Sequence, residues 1–537
     1  MSFFSIFGGN DDIKDDSLPW YNLPSVFEYI KANLDSDGNL SKEGNKLPDE
    51  ERRYENEKVR WIAGGLDGTL SYHAQSGNSA KDTKKVVELV KAISQKNSLS
   101  KKVELYNLLL KDNLMEFIDP SLEKIAALNL SIKPYLTEYA RWLAFKGADR
   151  GPVKFGIALL GFIGDKSAID KLITIGKHEE FTLFSVVALT NIYEDPEMEL
   201  WELARHVEGW GKIHIVQRLG KTQNSKIKKW LIREGYKNGI MYEYLAYTCA
   251  VGGDLRGELR AEVVDDELLN AAGEIIEALI NGGPAEDLDL YEDGAEVVML
   301  YVQHMEKKAN QTLADFLVLQ SIKRYMEDEN ADWKERETIG WTEDLKVNLL
   351  IDIHKMINDI KWGQMIKTKI DTRDPREMWQ VDQAAEFLGI DMWDIHLNRL
   401  TESPTQSEHW YKIMQSANND NIDKIITLAL EQLPLDEIAT GPADELGLGG
   451  EFELHSCLDY LLQRLGAFPN KGFPLIKAAL RSPVTRNRNF AIKALSAWGA
   501  SNWPEGTKSL LVSAEKVEPN ESTKTDLRNL LNGKDID

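Results

Sequence analysis

The chain has 537 residues, 42% of them hydrophobic and 28% charged, a balance typical of globular proteins and too apolar for a wholly disordered one. Acids outnumber bases 87 to 64, giving a formal net charge of −23, so phosphate backbones are repelled by the surface as a whole. Only two cysteines are present, Cys249 and Cys457, too few for a disulfide framework or a four-cysteine zinc site.

Residues 1–16 carry Phe3, Phe4, Ile6 and Phe7 without a basic lead-in or a long apolar core, and read as a loose tail rather than a signal peptide. Residues 25–75 read as a helical cap, so that 1–80 form an N-terminal region of their own. Within it, the loop 35–46 places Asp35, Asp37, Asn39, Ser41 and Glu43 at alternating positions, as a calcium loop would. Leu40 stands where that loop needs glycine and Lys46 where it needs a bidentate Glu, so the loop is read as a solvated turn. From about residue 81 apolar residues recur at three- and four-residue spacing, as in Val86, Leu89, Val90 and Ile93, and strand alternation hardly appears. A helix ending in apolar-x-Leu-small recurs at Leu160, Leu189, Leu219, Cys249 and Leu279, at intervals of 29, 30, 30 and 30 residues. Such a period means helical pairs that bury their apolar faces by stacking. Cys249, in the leucine slot, is expected to be a buried thiol.

The run at 149–173 resembles a HEAT repeat of the short, phycobilin-lyase-like kind. Asp149, Val153, Lys154, Ala158, Leu160 and Gly161 match its D-x-x-x-V-R/K-x-x-x-A-x-L-G pattern, and Gly164 and Asp165 its inter-helix turn. Val484, Arg486, Ala491, Ala494 and Leu495 match it less tightly, and the resemblance covers about 150–281 and 454–532. It implies an α-solenoid with a concave binding face, in a family composed mostly of scaffolds. Iron-binding hydroxylases built on such repeats use several His-Glu pairs; here His178-Glu179 stands without equivalents in the other repeats.

Between 255 and 300 there are 13 acids against Arg256 and Arg260, a local net charge of −11. Asp287, Asp289, Glu292 and Asp293 are the candidate partner-binding acids, facing a protein or peptide with a basic patch. Residues 282–403 interrupt the period, with longer helices such as one over 345–361. Six of the 14 tryptophans fall between Trp333 and Trp410, and Trp362, Trp379 and Trp393 are candidates for a binding groove.

In the C-terminal region, 404–537, the period returns at Leu465 and Leu495, with a weaker copy upstream at Leu388-Gly389. Glu451, His455 and Asp459 lie at i, i+4 and i+8, a usable transition-metal set that also simply stabilises a helix. From 460 to 500 there are seven bases and no acids, and Lys477, Arg481, Arg486, Arg488 and Lys493 form a candidate basic face. The glycine-rich stretch 447–451 lacks the Lys and Ser/Thr of a phosphate loop, and no nucleophile-elbow, dinucleotide or zinc-protease motif occurs.

The sequence therefore predicts an all-α chain, an α-solenoid of stacked helical hairpins (HEAT/armadillo-like) with an atypical N-terminal cap. Its segments are 1–80, 81–281, 282–403 and 404–537. The expected function is a noncatalytic, cytoplasmic scaffold with no cofactor and no membrane span. The alternatives are an enzyme or ligand-binding protein with a pocket in 282–403, and a nucleic-acid binder using the basic C-terminal hairpin, which the overall charge disfavours. Oligomeric state is left open.

Overall fold

The computed structural model describes residues 18–55, 60–73, 80–111, 114–128 and 134–536. The tail read over 1–16 lies outside them. Described residues are all-helical, with 69% helix and no strands. None of their helices is long and apolar enough to cross a membrane. Contacts gather into two units, 1–359 and 360–537. The boundary falls inside the segment read as irregular: a helix expected over 345–361 instead runs Glu343–Ile357 and ends at Asn358, and the next begins at Lys361.

In the first unit the N-terminal segment packs against helices more than 100 residues downstream. Helix Val26–Ala32 touches Pro134–Lys146 and Ile169–Gly176. Ser25 caps it and donates to the Phe145 carbonyl at 3.1 Å, while the Trp20 ring lies 4.8 Å from Tyr106 and 4.5 Å from Trp142. Alternate helices then contact one another in succession. Arg150–Ile163 packs on Glu179–Ile192, and that on Trp210–Leu219. Ala246–Gly252, Asp266–Asn281, Leu313–Met326 and Glu343–Ile357 follow in order.

The 30-residue pattern marks this succession. Leu160, Leu189, Leu219, Cys249 and Leu279 fall on five consecutive members of it, and none is more than 1% exposed. After Leu160 the small residue is where backbones approach: a Cβ at Gly161 would sit 2.6 Å from the Ala188 Cα, and three residues past Cys249 one at Gly252 would sit 2.5 Å from the Gly220 carbonyl oxygen. Leu388-Gly389 is different: Leu388 is half-buried, and Gly389, at φ +65°, follows the end of helix Pro375–Phe387. There the dipeptide is a stop signal rather than a packing site.

In the second unit Ser407–Gln415 packs on Glu453–Leu465, that on Thr485–Trp498, and that on Glu521–Leu531. Trp410, Leu458, Leu461, Leu495 and Trp498 form the centre of its core. Trp362 is fully buried, one turn before buried Ile366 on helix Lys361–Lys369, so it is a core residue and not part of a groove. Trp393 is half-buried against the same core, whereas Trp379 is 48% exposed.

Candidate functional site

The acid-rich stretch splits into two kinds of carboxylate. Five of its acids are held by arginines: Asp265 and Glu267 by Arg233, Asp293 by Arg256, Glu296 by Arg260, and Asp289 by Arg336. Within the first three sets the arginine and its acid lie 32–37 residues apart. Asp289 takes a two-point contact from Arg336 at 2.7 and 3.0 Å and a hydrogen bond from the Tyr325 hydroxyl. Burial opposes ionisation there, but these partners hold its carboxyl below its ordinary value. Arg336 is itself buried, with its guanidinium stacked 3.7 Å from the Tyr325 ring centre. Asp289 and Asp293 are therefore members of ion pairs and remain partly exposed within them.

Asp287 and Asp289 line a shallow cleft of about 490 Å³ with Asp328, Ser321, Arg324 and Arg336. Asp287 caps the turn Leu288–Leu290 by accepting from the Asp289 amide. Asp328 is exposed at the end of helix Leu313–Met326, and Glu292 is exposed outside the cleft lining. A second acidic group adjoins the cleft at Asn281, which donates to Glu243, while Ser321 donates to Glu277. Burial raises the Glu277 carboxyl, and the nearby charges of Glu274 and Glu243 push the same way. Sequence reading missed Glu243 and Asp328, because they lie on other turns from the 287–293 run that drew attention.

The basic face in the second unit is reduced by its own ion pairs. Arg488 is 1% exposed and binds Glu518 through two nitrogens at 2.8 and 2.7 Å, plus the Ser482 and Pro483 carbonyls. Arg486 pairs with Asp459. Arg488 is removed from the face, and Arg486 stays partly exposed within its pair, while Lys477, Arg481 and Lys493 are exposed. The metal set is likewise dispersed. Asp459 is consumed by Arg486 and Asn487, and His455 Nδ1 faces Ser482 and Asn487 at 3.1 Å. Glu451 lies on the Gly450–Phe452 turn, before the helix that carries the other two. Among the described residues no group of three or more His, Cys, Asp or Glu is placed to hold a metal ion.

At the calcium-like loop, Asp35 turns inward on its own backbone. Its carboxylate accepts from the amides of Asp37 and Asn39, which lowers its pKa. Asn39 Oδ1 meets His206 Nδ1 at 2.9 Å, and the Lys177 ammonium donates to the Gly38 carbonyl. A cation from the protein thus already reaches the loop.

A densely connected polar group lies at His178-Glu179-Glu180, where the sequence showed only an isolated His-Glu pair. His178 Nδ1 accepts from the Glu180 amide and caps helix Glu179–Ile192, while Nε2 faces the Asn45 carbonyl. Glu179 accepts from the amides of Glu208, Gly209 and Gly211, so it caps the next helix, Trp210–Leu219. Glu180 accepts from Lys154 at 2.5 Å and from the Gly64 amide. Three adjacent side chains therefore tie the N-terminal segment to two successive helices. Lys154 is buried between Asp67 and Glu180, and Arg150, one turn earlier, holds Asp49 and Glu50.

Burial pushes the His178 imidazole down to about 4. Because its folded pKa lies below the ordinary 6.5, the unfolded chain takes up the proton first. Stability is therefore full above pH 6.5 and falls between 6.5 and about 4, by up to roughly 3 kcal/mol from this residue. Urea midpoints measured across pH 7 to 4 should fall less steeply for His178→Gln than for the native chain. Parallel curves would rule out His178 as the titrating group.

Comparison with models of known protein families, with curated proteins and with solved structures finds no match.

Proposed function

We propose that the chain is a noncatalytic helical-repeat scaffold, its helical pairs stacked as an α-solenoid of HEAT or armadillo type, that binds a basic protein or peptide segment. The alternate-helix packing and the buried 30-residue leucine pattern support the solenoid part. The binding part rests on one observation: Glu243, Glu274, Glu277, Asp287, Asp289 and Asp328 gather around the 281–336 cleft against the guanidiniums of Arg324 and Arg336. Such a field raises the local concentration of a cationic partner and slows its escape.

The ion pairs decide which residues to change. Reversing Asp289 or Asp293 would break structural contacts with Arg336 or Arg256, so Asp287→Lys and Asp328→Lys are the informative variants. A pull-down from native lysate at low and moderate salt should recover a stoichiometric basic partner that is lost with the double variant. Recovery that is indifferent to both salt and charge reversal would count against this reading.

A further inference from the structure

We infer, on the reading proposed for the 281–336 cleft, that its basic partner segment carries an apolar side chain about three residues from the basic one, and that this side chain seats on Tyr247 and Val251. Helix Ala246–Gly252 packs on helix Asp266–Asn281, whose last residues, 279 to 281, line the cleft. The slots Cys249 and Leu279 of the two helices are 30 residues apart. Val251 therefore stands one repeat before Asn281, and Tyr247 one repeat before Glu277. Packed helices lie about 8–10 Å apart and an extended chain rises about 3.3 Å per residue, so about three residues carry a partner from one repeat to the next.

Tyr247 and Val251 lie at i and i+4, on one face of their helix. Val251 is 50% exposed, and Tyr247 is half-buried, its ring 6.1 Å from that of buried Tyr291. Tyr291 follows the turn Leu288–Leu290, so this apolar ledge is built onto the segment that supplies Asp287 and Asp289 to the cleft. Acids border it as well. Burial raises the Tyr247 hydroxyl, and the charges of Glu286 and Glu292, both exposed, push the same way. Glu292, outside the cleft lining, thus has its place beside the ledge. Negative charge next to an apolar surface favours a cationic chain with an apolar side chain over apolar contact alone. A second copy of this chain, at a net charge of −23, is repelled by the same field.

Fluorescence anisotropy of the full chain with labelled synthetic peptides of equal charge tests this pattern. One peptide places Leu three residues to either side of a central Arg, in an otherwise Gly, Ser and Lys sequence. A second has Ser in place of each Leu, and a third moves both Leu residues next to the Arg. The first should bind roughly fivefold more tightly than either of the others. Val251→Ser, at an exposed position, should cut that advantage to within about twofold. Val263→Ser, at an 86% exposed position ahead of helix Asp266–Asn281 and at the end away from the cleft, should leave it intact. Equal affinities of the three peptides for the native chain would overturn the inference and leave the cleft reading standing. So would an advantage that survives Val251→Ser. No binding of any peptide at low salt would overturn both.

Discussion

Lys154→Ala is expected to destabilise the 1–359 unit by roughly 3–5 kcal/mol, the usual penalty for removing one partner of a buried ion pair. The Lys154 side chain is 8% exposed and its ammonium is shared by Asp67 and Glu180. Their mutual dependence shows at the Glu180 carboxyl. Burial alone would raise Glu180, but Lys154 and Arg150 pull it down to about 2. Without the ammonium, two carboxylates face each other in a region with little water. The loss should come from the uncompensated charge rather than from the missing methylenes, so Lys154→Met should fall short of rescue. The triple variant Lys154→Met, Asp67→Leu, Glu180→Gln, which removes the charges together, should recover most of the stability. Urea unfolding followed by tryptophan fluorescence reads all three. A Lys154→Ala midpoint equal to that of the native chain would contradict this account of the joint.

The second large effect is expected at Arg488. Its guanidinium and the Glu518 carboxylate are 1% and 2% exposed and meet through two parallel hydrogen bonds, the strongest geometry available to an arginine. Arg488→Ala leaves Glu518 buried without its cation, and the Ser482 and Pro483 carbonyls without their donor. A loss of roughly 3–5 kcal/mol in the 360–537 unit should follow. Lys477→Ala, on the exposed side of helix Phe473–Ala479, should stay within roughly 0.5 kcal/mol. Differential scanning calorimetry separates the two outcomes. Equal, small shifts for both variants would mean that Arg488 belongs to a solvated face after all.

Helical content was legible because apolar spacing of three and four residues recurs along most of the chain. The repeat was legible at Leu160, Leu189, Leu219, Cys249 and Leu279 because one fully buried apolar slot is demanded each time. Leu388-Gly389 misled because a helix terminator and a packing glycine share the same two letters; only the left-handed φ at Gly389 tells them apart. Charge was legible as composition but not as pairing. Asp289 with Arg336, and Arg488 with Glu518, join residues 47 and 30 positions apart, and no local pattern announces such pairs. Trp362 and Trp379 are indistinguishable by type, yet one is fully buried and the other half exposed, since exposure depends on which helix face meets a neighbour. His178-Glu179-Glu180 gave the weakest signal relative to its importance, because each side chain caps or pairs with a different element.

The claim that the 281–336 cleft receives a basic segment is tested most directly by fluorescence anisotropy with a labelled Lys/Arg-rich peptide. The native chain is compared with Asp287→Lys/Asp328→Lys and with a control of identical net charge, Glu194→Lys/Asp420→Lys, at exposed positions outside the cleft. The account predicts a loss of affinity of roughly tenfold or more for the cleft variant and a much smaller loss for the control. Equal losses in the two variants would show that the peptide follows the overall charge of −23 and would contradict a binding site in the cleft.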